Sequence, residues 1–305
     1  MSEENHEHHH HSHHNIKHGN AFLIGIVLNI AFVAIEIVYG MIANSSALLA
    51  DGGHNASDVL SLMFAYAAAY VATKNPTKKY TYGFKRTTIL VSILNALLLF
   101  VAVAFIAYDA FSKLINPEPV VGDIIIIVAA IGVVINTATA LLFMKGQKED
   151  LNIKGAFLHM AADAAVSLAV VIAGISIKFT GAYWIDPAMS FVVIIVIVWG
   201  TWKLLVESIN LALDAVPKNT DIDKIRDYLL SLQGVVDVHD LHIWAMSTTQ
   251  NALTAHIVVP EGHTDEFIFS IQRELKENYN IHHTTLQIEK TLIEGNYDKN
   301  CLDCN

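Results

Sequence analysis

Two short spacings carry the chemistry of this chain. His54 with Asp58, and His159 with Asp163, both read HxxxD. In a helix, residues four apart share a face, so each pair would present an imidazole and a carboxylate to the same neighbour. Two such helices supply two nitrogens and two oxygens, a donor set that suits tetrahedral Zn²⁺ with bonds of about 2.0–2.2 Å. Small residues would let the two helices approach: Gly52, Gly53, Ala56 and Ser57 around the first pair, and Ala161, Ala162, Ala164 and Ala165 around the second. A single HxxxD reads equally well as a hydrogen-bonded pair that stabilises a bundle. Two of them inside apolar segments favour a metal site, because an ionisable group in hydrocarbon costs several kcal/mol unless it is paired or bound to something.

The segments that must position these residues are apolar enough for a membrane. Of 305 residues, 53% are hydrophobic and 16% charged, against roughly 25% charged in soluble domains. Six stretches reach the span length of about 20 residues: 21–43, 46–72, 87–112, 122–144, 155–178 and 187–213. Lys74, Lys78, Lys79, Lys85 and Arg86 lie in the 73–86 connection, and Lys145, Lys148 and Lys154 in the 145–154 connection, whereas the other three connections hold just Lys113 and Lys178. Basic loops mark the cytoplasmic side, so both termini are expected there. The His-rich leader does not read as a cleavable signal peptide.

The net charge of −10 sits mainly outside the apolar part, and the lack of clustered Lys and Arg argues against a nucleic-acid partner. After Asp214 the pattern is that of a soluble domain. Asp221 is placed to cap a helix ending near Gly234. Val235–Met246 and Asn251–Pro260 read as strands around a Ser247–Gln250 turn, Thr264 or Asp265 opens a helix to Tyr279, and Thr284–Glu289 is a last strand. This α-β-β-α-β order predicts a small open sheet with helices on one face. The fold class is therefore an α-helical membrane protein of six transmembrane helices with a C-terminal cytoplasmic α+β (αββαβ) domain. The expected division is a His-rich tail over 1–19, the six-helix domain over 20–214, the αββαβ domain over 215–295 and a tail over 296–305.

Glu36, Asn29, Asn95 and Asn136 lie within spans and are expected to make interhelical hydrogen bonds. Asp51, three residues before His54, reads as a local partner rather than a ligand. The two cysteines, Cys301 and Cys304, form a terminal CxxC and exclude a disulfide-stapled fold.

SALLADGGHNASD (Ser46–Asp58) resembles the second-span signature of the cation diffusion facilitator family, in its zinc-transporter branch. YTYGFKR (Tyr80–Arg86), HMAAD (His159–Asp163) and VHDLHIW (Val238–Trp244) are similar to further motifs of that family. The resemblance covers roughly residues 17–305. It implies a homodimeric, proton-coupled exporter of divalent metal with a metallochaperone-like cytoplasmic domain and a transport site at His54, Asp58, His159 and Asp163. It further implies a cytoplasmic metal site at His239, His256 and Glu289, joined by Cys301 and Cys304, whose thiols are soft ligands in a reducing cytosol. His242, three residues beyond His239, falls on the opposite face of a regular strand and is left out.

Two departures from the family pattern stand out. Thr73–Arg86 contains no His, Cys, Asp or Glu, so a metal site in the first cytoplasmic loop is not expected. Lys145–Lys154 contains no histidine. The histidines crowd instead at His6, His8, His9, His10, His11, His13, His14 and His18, where the interruptions by Glu7 and Ser12 favour a native, disordered metal-collecting tail over a purification tag.

Metal ligands must be deprotonated, so a site of two His and two Asp also binds protons, and competition between the two becomes exchange. Asp58 and Asp163 would neutralise the cation in transit. The second and fifth spans occupy matching places in two three-helix halves and run in opposite directions, as in an inverted repeat. The function expected is Zn²⁺ efflux by proton antiport, with zinc as cargo and as regulator, in a bacterial inner membrane. A membrane metalloenzyme or a metal sensor is the alternative. The enzyme reading lacks an HExxH or comparable motif.

Overall fold

The structure, a computed structural model, describes residues 19–144 and 151–291. Eight helices and three strands follow in the order α1 (Gly19–Ile42), α2 (Ser46–Ala72), α3 (Thr87–Ile115), α4 (Gly122–Phe143), α5 (Leu151–Thr180), α6 (Ile185–Ala212), α7 (Ile222–Leu230), β1 (Asp237–Ala245), β2 (Asn251–Val258), α8 (Asp265–Tyr279) and β3 (Ile281–Glu289). Thr87–Ile115, Gly122–Leu142, Phe157–Thr180 and Ile185–Ala212 are each long and apolar enough to cross a membrane, and Asn29–Ile42 is a shorter apolar stretch. α2 is long enough at 27 residues, but Asp51, His54, Asn55 and Asp58 lower its hydropathy. That polarity is the mark of a helix carrying a site rather than of a loop. The chain is a helical membrane protein with a C-terminal α+β domain.

The described residues fall into two compact units. One takes α1, α2 as far as Val59, and Asp109–Val193; the other takes Leu60–Tyr108 and the chain from Ile194 onward. In the first, α4 and α5 pack closely because Gly174 lets the backbone approach: a Cβ there would lie 3.0 Å from Ile125 Cγ2. α1 packs on α4 at Gly132, where a Cβ would come within 2.7 Å of Phe32 Cζ. Phe32, Leu48, Ile125, Val128, Val170 and Ile177 fill the interior. The α1–α2 connection is a tight turn with Asn44 at φ 54°. Its polar groups are met by Asp186 at the start of α6, which accepts from Ser45 Oγ at 2.5 Å and from the Ser46 N–H at 2.7 Å. An acid from another helix thus occupies the positive end of α2, where unpaired N–H groups favour a negative charge.

In the second unit, β2 is central, antiparallel to β1 and parallel to β3. Val238, Leu241, Ile243, Leu253, Ala255 and Ile257 turn one face of the sheet to Ile225 and Leu229 of α7 and Ile271 and Leu275 of α8. Asp221 caps α7 by accepting from the Lys224 N–H at 3.2 Å, and Thr264 caps α8 through Phe267 at 3.3 Å. The last strand starts at Ile281, three residues before the expected Thr284. Asn280 ends α8 in the left-handed region (φ 59°) and turns the chain into β3 with no loop between them. Asp214, just past α6, pairs with Arg86 ahead of α3, and the Thr248 N–H in the β1–β2 turn donates to Thr88 Oγ1 at 3.1 Å.

Candidate metal centres

α2 and α5 bring the four residues of the two HxxxD pairs together. His54 Nε2 lies 3.3 Å from Asp163 Oδ1, and His159 Nε2 lies 3.1 Å from Asp58 Oδ2. Contacts along each helix are longer: 3.9 Å from His54 to Asp58 and 3.7 Å from His159 to Asp163. Each histidine therefore meets the carboxylate of the opposite helix, which is the crossed register of antiparallel helices. The rings of His54 and His159 stand edge to face, 6.0 Å apart. Donor atoms of His54, Asp58 and Asp163 lie within 4.8 Å of one another. His159 completes the quartet from its open side, with 45% of its side chain exposed against 4% for Asp163. Donor–donor contacts of 3.1–3.9 Å bracket the edge, about 3.3 Å, of a tetrahedron with the bonds of about 2.0–2.1 Å that zinc makes.

Around the quartet lies a polar shell. Asn55 Nδ2 donates to Glu36 Oε2 at 2.8 Å, and Ser167 Oγ donates to Asp51 Oδ2 at 2.9 Å. Asp51 stays away from the quartet and partners α5 through Ser167, in line with its reading as a partner. Glu36 and Asn95 make the expected interhelical bonds, the latter to Ser61 Oγ at 2.6 Å. Asn29 Oδ1 and Asn136 Nδ2 are buried with no hydrogen-bond partner among the described residues, contrary to the expectation for those two. Gly52 does not serve the approach to α5 as expected. A Cβ there would meet Glu36 Cβ at 3.0 Å, so it seats α1 against α2.

A second cluster sits on the sheet face away from the helices. His239 and His256 are register partners on β1 and β2, and Glu289 ends β3 beside them. Glu289 lies 3.5 Å from His239 Nε2 and 3.2 Å from His256 Nδ1, and the two rings are 5.2 Å apart. Asp237 at 3.1 Å holds His239 Nδ1, and Gln287 donates to Glu289 at 2.8 Å, so the donors are oriented by neighbours as ligands usually are. His242 corrects a sequence expectation. A bulge between His239 and His242, with Asp240 at φ 52°, adds a residue to β1 and places His242 opposite Thr254, on the same face as His256. It still stays out of the cluster, bonding Asp240 at 2.9 Å. Cys301 and Cys304, the N-terminal histidines and the 145–150 connection lie outside the described residues.

Two family models match this chain: the cation efflux transmembrane domain over residues 22–211 and the cation efflux protein cytoplasmic domain over 217–291. The chain is 33% identical to the metal cation efflux system protein CzcD of Cupriavidus metallidurans, over 93% of this chain and 89% of that protein. It is 34% identical to the cadmium, cobalt and zinc/H(+)-K(+) antiporter of Bacillus subtilis, over 88% of each. It is 32% identical to the zinc transporter ZitB of Escherichia coli, over 95% of this chain and 93% of that one. These matches set the enzyme alternative aside. A polar helix pair among apolar helices, an αββαβ domain following it in the chain, and matches along almost the whole length together make this chain a member of the cation efflux family, in the zinc branch of the cation diffusion facilitators: a multi-pass membrane transporter, not an enzyme.

Proposed function

We propose that the protein exports Zn²⁺ from the cytoplasm in exchange for protons, with His54, Asp58, His159 and Asp163 as the transport site. The observation that carries this reading is the crossed quartet. Two imidazoles and two carboxylates from apolar helices converge on one another, with Asp163 buried and His54 and Asp58 half-buried beside it. Zn²⁺ suits this mixed nitrogen and oxygen set better than the harder ions, which prefer oxygen alone. Binding requires neutral imidazoles and ionised carboxylates, so a proton and a zinc ion compete for the same atoms. Asp58 and Asp163 offset the two charges of the cation, and the loaded site crosses as a near-neutral unit. Protons arriving from the far side displace the metal and reset the site.

The same reading assigns residues 20–214 to the membrane domain and 215–295 to a cytoplasmic domain, with both termini cytoplasmic in a bacterial inner membrane. It makes His239, His256 and Glu289, with Cys301 and Cys304, a regulatory zinc site, and the working protein a homodimer. Support comes from the alternating charge of the connections and from relatives named as zinc transporters and as a zinc/H(+)-K(+) antiporter.

Flux in reconstituted vesicles tests the proposal. Zn²⁺ should move against its gradient when a pH gradient is imposed and stop when the gradient is collapsed. Equal flux with and without the gradient, or a metal ranking led by Mn²⁺, would reject it.

A further inference from the structure

The most buried carboxyl groups of the bundle are not in the quartet. Glu36 of α1 and Asp51 of α2 are both 0% exposed. Each has one oxygen satisfied, Glu36 Oε2 by Asn55 and Asp51 Oδ2 by Ser167. The other two oxygens, Glu36 Oε1 and Asp51 Oδ1, are buried with no hydrogen-bond donor among the described residues. Glu36 packs against the turn of α2 that carries Asp51: a Cβ on Gly52, the next residue, would lie 3.0 Å from Glu36 Cβ, and Asn55, one turn on from Asp51, reaches Glu36 Oε2 at 2.8 Å. Ionised carboxylates only accept, so two of them side by side leave both oxygens unsatisfied and two like charges in a dry interior. One proton held between them resolves both problems: one group becomes a donor, the other accepts, and the pair carries a single charge.

We propose that Glu36 and Asp51 form a proton-binding pair separate from the metal ligands, and that this pair gives up its proton when zinc occupies the quartet. The proposal rests on the zinc-for-proton exchange argued above. Two connections link pair and site. Asn55, which holds Glu36, follows His54 in the chain; Ser167, which holds Asp51, lies one turn beyond Asp163 on α5. The charged groups that act on the pair are His54 of α2 and Asp163 of α5. α4, which packs on α1, carries Asp123 alone, paired with Lys178. A divalent cation at the quartet favours the doubly ionised pair, the proton leaves to water as H⁺, and a proton from the far side restores the pair when zinc departs. No bond other than the carboxylic O–H forms or breaks.

The test counts protons. Zinc is titrated into the purified full-length protein by calorimetry in two buffers of different ionisation enthalpy, and infrared difference spectra are recorded with and without zinc. Wild type should lose a carboxylic-acid C=O band on binding zinc. Glu36→Gln should keep zinc affinity within about threefold, because its site is intact, while releasing about one proton fewer per zinc. Asp51→Asn should do the same, so a variant that fails to fold leaves its partner and the wild-type spectrum to decide. A wild-type spectrum with no acid band, or unchanged proton release in a variant that binds zinc, would overturn the pair. So would carboxylate bands that shift on adding K⁺ or Na⁺, which would make the pair a cation site instead. Asp163→Ala separates the two readings: if it binds zinc like wild type, the quartet fails rather than the pair.

Discussion

In the proposed transport site Asp163 would contribute an oxygen and half of the charge that offsets the cation, from a nearly sealed position. Its replacement by Ala should lower zinc affinity by more than the roughly 10–100-fold that outer partners of a metal site cost, and should abolish flux while the folded protein persists; binding calorimetry and vesicle flux measure both. His54→Asp replaces a borderline nitrogen by a hard oxygen. The expected result is a wider metal range that includes Mn²⁺ and Cd²⁺ at the expense of zinc, checked by ranking fluxes of these metals. Both residues were legible in the sequence because HxxxD occurs twice. The packing of Glu36 against the α2 turn of Asp51 and Gly52 was not, because helical period says which face a residue occupies and not which helix will cover it. Gly52 shows the same gap: its smallness was plain, while its neighbour, α1 rather than α5, is a property of packing.

At the scale of elements, glycines of one type should respond in opposite ways. Gly132→Ala places a methyl 2.7 Å from the ring of Phe32, which is itself 1% exposed and has nowhere to move. Overpacking of this kind costs about 1–3 kcal/mol and should lower the melting temperature. Gly200→Ala meets nothing within 4 Å and should be neutral or stabilising by up to about 1 kcal/mol, since Ala is the better helix former. In the soluble domain, the Lys224 backbone N–H and then its ammonium hold the Asp221 carboxyl below the usual carboxylate range. The cap then stabilises α7 above the unfolded-state value of that acid and fades as pH falls through the depressed one. Unfolding followed from neutral to acid pH should show a smaller acid loss in Asp221→Asn. The order of elements, both caps and the Ser247–Gln250 turn were readable from apolar periodicity and polar punctuation. The β1 bulge was not. Alternation assumes one residue per step, so the added residue at Asp240 reverses the face assigned to everything after it.

For the whole molecule, the segments outside the described residues supply a prediction about supply rather than passage. On the proposed reading, deleting residues 1–14, or changing Cys301 and Cys304 to Ser, removes groups that gather or sense metal rather than carry it. Flux at low zinc should fall while the maximal rate is kept, measured as half-saturation against maximal rate; a collapse of the maximal rate alone would contradict this. The crossed quartet has a wider consequence. Because His54 faces Asp163 and His159 faces Asp58, the arrangement is a palindrome: turned end over end, it offers a departing ion the same two imidazoles and two carboxylates that it offers an arriving one. The donor set is alike from either end, while the structure opens it on the side of His159 and Asp58. Under the proposed exchange its direction is borrowed from the solutions on either side, and reversing the pH difference across a vesicle should run the same protein backwards, as an importer, with its ranking of metals unchanged.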